Sequence, residues 1–573
     1  MTQEATPASV QGRFDGQRLE AFGGVVRPIR EGEGYAFEYL DPNTGAVQGR
    51  VPVLRTVGSH RYQQYLTRAA DGETYYRLHY LWHNDEQRWV HMNAAFLGSD
   101  AQDFDAQVTV WNANCVFCHN TAVTPRIRNL EELRTRAARG EPVNWIHDLR
   151  FDTEVTELGI SCESCHGPGA DHVARMQSLP ARVWARYGGL EDPSIVNPQE
   201  LDADRSRAIC GACHAGRKPP DVATLDRWLV DGLDFRPGDD LEAHFHVLHR
   251  DSPSPSPAQP DIFRNRFWAD GSVRLTAYEY QAMQASACAQ ESELTCIRCH
   301  TMHGGDPAGM LPEQNRGDAP CLRCHQELRT EIAAHSGHPV ESSGARCVNC
   351  HMPKQVYGVM TIHRSHDIKV PAPQQDLAVG KPNACLNCHA EQNAEWAEQA
   401  LDQWYPARQR SAAAPRADGV DARWADGLSA LLAGDPVRQA VAAYTLGQVD
   451  HAVDGHALRV RVPWLLEALR DDRPGVRRFA WRSLRTIDTR LADQGQPLNL
   501  FGPLSDYDYT GAPARREAAV QAALAGFAAV DKRGWPIPAA ATGLDADYRL
   551  DASLRDELLT LGARSDKQID IGE

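Results

Sequence analysis

The stretch "ISCESCHGPGADH", residues 160–172, decides how the rest of the chain is read. Cys162, Cys165 and His166 form a C-x-x-C-H pentapeptide, a Gly-Pro-Gly turn follows, and a second histidine, His172, closes the stretch. Two thiols beside an imidazole suit a zinc knuckle, a disulfide, or a haem joined through both sulfurs and gripped by the histidine. One copy leaves all three open. The sequence carries seven. "CVFCH" (Cys115, Cys118, His119) precedes this copy, and "CGACH" (Cys210, Cys213, His214) and "CIRCH" (Cys296, Cys299, His300) follow it. "CLRCH" (Cys321, Cys324, His325), "CVNCH" (Cys347, Cys350, His351) and "CLNCH" (Cys385, Cys388, His389) complete the set.

Fourteen of the 15 cysteines are used, leaving only Cys288. Composition alone would yield roughly 0.02 such pentapeptides. Zinc sites usually pair two C-x-x-C knuckles and need no histidine directly after the second cysteine. Disulfide frameworks do not repeat one local spacing. The reading is therefore seven covalently attached haem c groups. Two thioethers tie each porphyrin edge to the chain, and the following histidine reaches the iron. The second axial ligand, burial and nearby charge then set the potential.

The chain has 573 residues, enough for two or three domains. Its 60 Lys+Arg against 76 Asp+Glu give a net charge of −16, which argues against nucleic acid binding and suits redox partner proteins or a mineral surface. Among the 23 histidines, those outside the pentapeptides suffice to give every iron a second ligand. No apolar run reaches the length of a membrane span. The opening "MTQEATPASVQGRFDGQ" lacks a signal-peptide pattern. Because bacterial c-type attachment takes place outside the cytoplasmic membrane, the expectation is a mature periplasmic or cell-surface protein whose leader is absent from this chain.

The expected fold is multidomain. Residues 1–105 alternate aromatic and polar residues between turns, as in "GYAFEYLDPNTGAV" and "GETYYRLHYLWHNDEQRWVHM", and are read as a small β-rich domain. It would meet the first haem through Trp82, Trp89 or Trp111, unless these are sheet core. Residues 106–400 hold all seven pentapeptides in a mostly α and irregular haem core, with "RDSPSPSPAQPD" as a low-complexity loop. Residues 401–573 are read as α-helical HEAT-like repeats, with a plain bundle as the alternative. "WADGLSALLAGDPVRQAVAAYTLGQ" and, about 38 residues later, "VPWLLEALRDDRPGVRRFAWRSLRT" share helical apolar spacing and a Pro and Val-Arg junction. A third helical stretch is "APARREAAVQAALAGFAAV".

Candidate second ligands are His172, expected to serve a neighbouring iron, His303 in "CIRCHTMHGG", and His335 and His338 in "AAHSGH". His366 is preferred to His363 in "HRSHDIKVP", His60 is the candidate in the β-rich part, and His246 is preferred to His244 or His249 in "AHFHVLH". Each has the plainer reading of a hydrogen-bonded or surface histidine, and that reading is adopted for His451 and His456. Cys288 is read first as a buried, inert thiol, and Lys354 as a partner for a propionate.

"TELGISCESCHGPGADH", "CIRCHTMHGGDP", "CVNCHMPKQVYG", "RSHDIKVPAP" and "PNACLNCHAEQNAEWAEQALDQWY" together resemble multihaem c-type cytochromes of the cytochrome c-552/c-554 type that end in HEAT or TPR repeats. The resemblance spans most of the chain. It implies functional roles for His60, His172, His303, His335, His338 and His366, and none for His363. More distantly the chain is similar to the pentahaem nitrite reductase and hydroxylamine oxidoreductase group. Two functions follow as expectations. In the first, closely spaced, mostly bis-histidine haems relay electrons in periplasmic or extracellular anaerobic respiration, with the repeats docking a partner. In the second, one five-coordinate haem reduces or oxidises a small nitrogen or sulfur compound, and Tyr278, Tyr280 and Cys288 line it. All seven motifs end in histidine, so the lysine-ligated haem typical of pentahaem nitrite reductases is missing. The sequence leaves open a homo-oligomer or filament.

Overall fold

The computed structural model describes residues 1–144, 147–188, 192–254, 260–307, 309–409, 414–448, 453–564 and 569; the centre of the low-complexity loop and His451 lie outside them. Ten strands occupy the N-terminal part: β1 (Thr2–Glu4), β2 (Leu19–Ala21), β3 (Gly24–Glu31), β4 (Gly34–Leu40), β5 (Val47–Val53), β6 (Arg55–Val57), β7 (Tyr62–Arg68), β8 (Tyr75–Arg77), β9 (Tyr80–His83) and β10 (Arg88–His91). They form two antiparallel sheets, one ordered β2-β3-β4-β5 and the other β1-β6-β7-β9-β10, with β8 on β7. The β3–β4 hairpin turns through Gly32 at φ 60, where a side chain would be strained. Period-two alternation sends Val26 and Phe37 from one sheet and Tyr65, Trp82 and Trp89 from the other into one aromatic cluster with Phe14. Trp82 and Trp89 are thus sheet core. Trp111 instead packs with Tyr75, Val116 and Cys115, beside the first pentapeptide.

Past residue 414 the long elements are helices at Asp426–Ala433, Pro436–Thr445, Gly455–Ala468, Pro474–Asp493, Pro513–Ala529 and Ala552–Ala563. The Asp-Pro junction works as a helix start. Asp435 caps the backbone N–H groups of Val437 and Arg438, and Pro436 takes a position where no N–H is needed. The arginine of each Val-Arg pair turns inward. Arg438 lies buried between Asp418 and Asp426, and Arg477 is bidentate to Asp100 while donating to Tyr509 O.

These helices do not stand apart. One continuous apolar core runs from Leu81, Val90 and Met92–Leu97 through Trp268, Leu275 and Tyr357 into the helices. Between its two ends lies the hairpin Lys354–Gly358/Thr361–Arg364. Tyr357 donates to Ala95 O at 2.7 Å, and buried Arg478 joins Glu86 of the N-terminal part to Met360 O of the hairpin. The core therefore fixes the hairpin that runs from the sixth pentapeptide toward His366. Arg461, fully buried, donates to Cys388 O and Leu446 O and so ties the seventh pentapeptide to the helices.

Candidate haem centres

Each pentapeptide is one helical turn. The histidine N–H donates to the carbonyl of the first cysteine in motif one (3.1 Å), two (2.9 Å), four (2.9 Å), five (3.0 Å) and seven (2.9 Å). Motif three ends the longer helix Ala203–His214, capped by Asp202, and motif six is the helix Cys347–His351. In such a turn positions i, i+3 and i+4 share a face, so both thiols and the imidazole point the same way. That is the geometry required to hold a flat cofactor by one edge and by its central metal. None of the 15 cysteines is in a disulfide.

Four of the seven motif histidines face a second imidazole. His166 stacks on His303 with ring centroids 6.0 Å apart and planes 7° apart. His300 faces His366 at 6.3 Å, His351 faces His335 at 6.0 Å, and His389 faces His338 at 6.2 Å. Two metal–nitrogen bonds of about 2.0 Å each, added to the ring radii, put axial imidazole centroids roughly 6 Å apart. All four spacings fit one iron between the rings. Apolar or directly hydrogen-bonded rings have no reason to share that separation four times.

The other ring nitrogen is held in place, which orients a ligand and raises its basicity. His166 Nδ1 lies 2.7 Å from Val196 O, His300 Nδ1 2.8 Å from Gly309 O, and His351 Nδ1 3.1 Å from Lys369 O. On the opposing rings, His338 Nδ1 donates to Ser336 O at 2.6 Å and His335 Nδ1 meets Tyr405 Oη at 3.1 Å. Burial pushes His351, His366 and His389 toward the neutral imidazole, the form that ligates.

Three motif histidines have no stacked imidazole among the described residues. His119 is held down to about 4, first by burial, then by the Met1 amine and His214. His325 is exposed, with Glu327 at 3.7 Å. His214 is set against a carboxylate, with Glu279 Oε2 3.2 Å from its Nδ1. This bond, with Glu279's charge, raises His214 above its usual range. Burial pushes Glu279 up, but the bond and charge of His214 outweigh it and hold the carboxyl at about 2. Tyr278 and Tyr280 are buried against Gly216 and Gly211, flanking this contact. Glu279 escapes a motif search because a glutamate at a helix start reads as an ordinary dipole partner.

The remaining candidates stand elsewhere. His172 Nδ1 is 2.8 Å from Asp192, His246 Nε2 is 3.2 Å from Ser252 Oγ, and His60 is exposed with Nδ1 3.0 Å from Ser59 Oγ. His363 Nε2 lies 2.6 Å from Thr361 Oγ1. Lys354 bonds Tyr444 Oη rather than an acidic group, and Cys288 lies within electrostatic reach of Cys321 and Cys324.

The motifs also adjoin one another. Cys118 of motif one touches Cys213 of motif three, Cys210 of motif three touches Cys296 of motif four, and Cys321 of motif five touches Cys347 of motif six. Cys321 acts electrostatically on Cys299, and Cys388 on Cys350, which links five to four and seven to six. Cys165 of motif two acts on both thiols of motif three.

The family description "Doubled CXXCH motif" matches residues 289–330, which hold motifs four and five. A protein named "Multiheme cytochrome MtrA" from Shewanella baltica (strain OS185) is 20% identical over 248 residues, 43% of this chain and 47% of that protein. The chain is a multihaem c-type cytochrome. The match spans about half the length of that relative. A crystal structure titled "Outer Cell Wall Cytochrome OcwA" aligns over 82% of the cytochrome and 88% of that chain, with 16% identity and a TM-score of 0.38. No helix among the described residues of the cytochrome is long and apolar enough to cross a membrane.

Proposed function

We propose that the cytochrome is a heptahaem electron relay that works outside the cytoplasmic membrane, with a β-rich domain at residues 1–105, the haem domain at 106–400 and HEAT-like repeats at 401–573 that dock a redox partner. The observation that carries this reading is the adjacency of the motifs, each with a thiol against or within electrostatic reach of another's, from motif one to motif seven. A haem at each motif supplies, when bound, a one-electron iron couple. The chain's own residues do the rest. Cys115, Cys118, Cys162, Cys165, Cys210, Cys213, Cys296, Cys299, Cys321, Cys324, Cys347, Cys350, Cys385 and Cys388 fix the groups edgewise. His166 with His303, His300 with His366, His351 with His335 and His389 with His338 hold one iron each from both sides. Two histidines on one iron would leave no position for substrate, which favours transfer over catalysis. The acidic surface favours a basic partner.

A second reading draws on His119, His214 and His325, which have no stacked histidine among the described residues: one of their irons is open and reduces or oxidises a small nitrogen or sulfur compound. One experiment tests both. A pyridine haemochrome assay is expected to return seven haems per chain, and low-temperature EPR of the oxidised protein to show only low-spin iron, unchanged by nitrite or cyanide. A count below seven refutes the heptahaem relay. A high-spin signal that moves on adding ligand puts the enzyme reading first.

A further inference from the structure

Motif three occupies a position no other motif shares. Its Cys213 touches motif one, its Cys210 touches motif four, and Cys165 of motif two acts on both of these thiols. The other contacts form a linear run, four to five to six to seven. By thiol contacts motifs one and two both meet motif three, which meets the run at motif four, and motif two also meets the motif-four segment where His166 faces His303.

The same motif differs in what holds its histidine. His166, His300 and His351 direct Nδ1 at backbone carbonyls, which are neutral. His214 directs Nδ1 at the Glu279 carboxylate, 3.2 Å away. The exposed His325–Glu327 pair, at 3.7 Å, is beyond hydrogen-bond length. The Glu279 contact is built rather than incidental. Thr276 Oγ1 and the Ala277 N–H each donate to Glu279 Oε1 at 3.3 Å, leaving Oε2 for His214. Ala277 takes φ 65, a left-handed conformation costly for alanine, to present that N–H. Tyr278 and Tyr280 pack on Gly216 and Gly211 of the motif-three segment, where a side chain at either glycine would collide with the rings. Glu279 is thereby clamped between two residues that fit the very backbone carrying His214.

We propose that motif three is the junction of the relay and that Glu279 is a positioning residue which, acting through His214, holds the junction iron at a lower potential than the histidine-paired centres. The inference rests on the relay reading. A carboxylate accepting the Nδ1–H makes the imidazole a stronger donor and adds a negative charge beside it, and both favour the ferric state. Each exchange at the junction moves one electron, one iron being oxidised as its neighbour is reduced, with no bond made or broken. A junction lower in potential than its neighbours passes electrons without retaining them, so electrons entering at motif one or two divide there instead of pooling.

The test is a spectroelectrochemical titration of the fully haem-loaded protein and its Glu279→Gln variant, with Glu279→Asp as the conservative control. The amide keeps the shape and an acceptor oxygen but removes the charge. One centre is expected to become easier to reduce by at least tenfold in its reduced-to-oxidised ratio, 59 mV for a one-electron couple. A smaller shift is expected at the neighbouring motif-four centre, whose His366 also feels Glu279, and Glu279→Asp should restore most of the wild-type value. Thr276→Val, which loosens Oε1 alone, should move the same centre in the same direction by less, and it serves if Glu279→Gln does not load haem. Seven unchanged potentials in a fully loaded Glu279→Gln, or in Thr276→Val where only that variant loads, overturn the role of Glu279 and leave the relay intact. Mass mapping that finds no haem on the peptide containing Cys210–His214 overturns the relay reading of this motif instead.

Discussion

His303 offers the cleanest test of ligation, because it lies in an exposed segment outside the apolar core, so its replacement leaves folding intact. Its ring is 6.0 Å from that of His166 and 7° from parallel, and His166 is fixed by Val196 O at 2.7 Å. With ring radii subtracted, roughly 4 Å remains between the two rings, the length of two metal–nitrogen bonds. No water or second ligand fits between ring and iron. Replacing His303 with Gln therefore empties one axial position on one haem out of the proposed seven. The expected EPR spectrum of the oxidised variant shows one haem equivalent converted from low-spin to high-spin. The same centre should become easier to reduce, since a donor that favours ferric iron is gone. A tethered ligand acts at an effective concentration on the order of millimolar or above, so free imidazole at about 10–100 mM should restore the low-spin signal. His456→Gln is the control, because its Nδ1 bonds Tyr548 Oη at 2.9 Å within the helical part. A His303→Gln protein that retains a fully low-spin spectrum refutes the argument, and the four 6 Å ring pairs then report packing instead of coordination.

Two further predictions concern the scaffold. Arg478 is buried and bonds Glu86 at 2.6 Å, Met360 O at 2.7 Å and His83 Nε2 at 3.1 Å, so Arg478→Met should cost about 3–5 kcal/mol by leaving buried partners unpaired, measured as a loss in denaturant midpoint at unchanged slope. Asp418 is held at about 2 against a usual 3.8, because the charges of Arg438 and Arg416 outweigh burial. Its folded value is depressed, so its contribution is complete above 3.8 and lost as pH falls through about 2. At about 1.4 kcal/mol per unit this is about 2 kcal/mol, and wild-type protein should lose that much more stability than Asp418→Asn between pH 5 and about 2 in urea titrations.

What the sequence makes legible follows from the range of the interactions concerned. The seven C-x-x-C-H turns are legible because, in the relay reading, two thioethers and an axial nitrogen must come from one helical turn, a purely local demand. Strand patterning in "GETYYRLHYLWHNDEQRWVHM" is legible for the same reason, and it folds as Tyr75–Arg77, Tyr80–His83 and Arg88–His91. Pairing is a different matter. His303 follows motif four yet faces His166 of motif two, while His366 faces His300 of motif four from beyond motif six. Nothing in the local sequence encodes which distant turn a loop histidine meets. His172 shows the same limit: its Nδ1 is held by Asp192, twenty residues on, and the local sequence does not say which turn its other ring nitrogen meets. Glu279 was invisible because its role needs Ala277 in a left-handed conformation and two tyrosines seated on glycines of another helix, none of which has a sequence period.

The division between attachment and scaffold explains why a middle region of short elements can hold so many proposed centres. The motif cysteines are half-buried or exposed, and none of the seven motif histidines belongs to the large apolar core. That core lies instead between the N-terminal strands, the Lys354–Arg364 hairpin and the helices past residue 414. Covalent linkage removes the need for a deep pocket at each haem, so the scaffold has only to fix the relative positions of short turns. It does so at few points. Arg461 grips the carbonyl of Cys388, and the Tyr357–Ala95 bond holds the hairpin leading to His366. Spacing between centres then depends on the scaffold, and potential depends on what stands behind each histidine. Substitutions in the first group, such as Arg461→Lys, which keeps the charge that acts on His389 but loses the guanidinium's grip on Cys388 O and Leu446 O, should slow transfer between motifs six and seven without moving midpoint potentials. Substitutions in the second group should move one potential and leave the spacing alone. A variant of Arg461 that shifts a midpoint while its transfer rate stays fixed would show that the two functions are not separable in this chain.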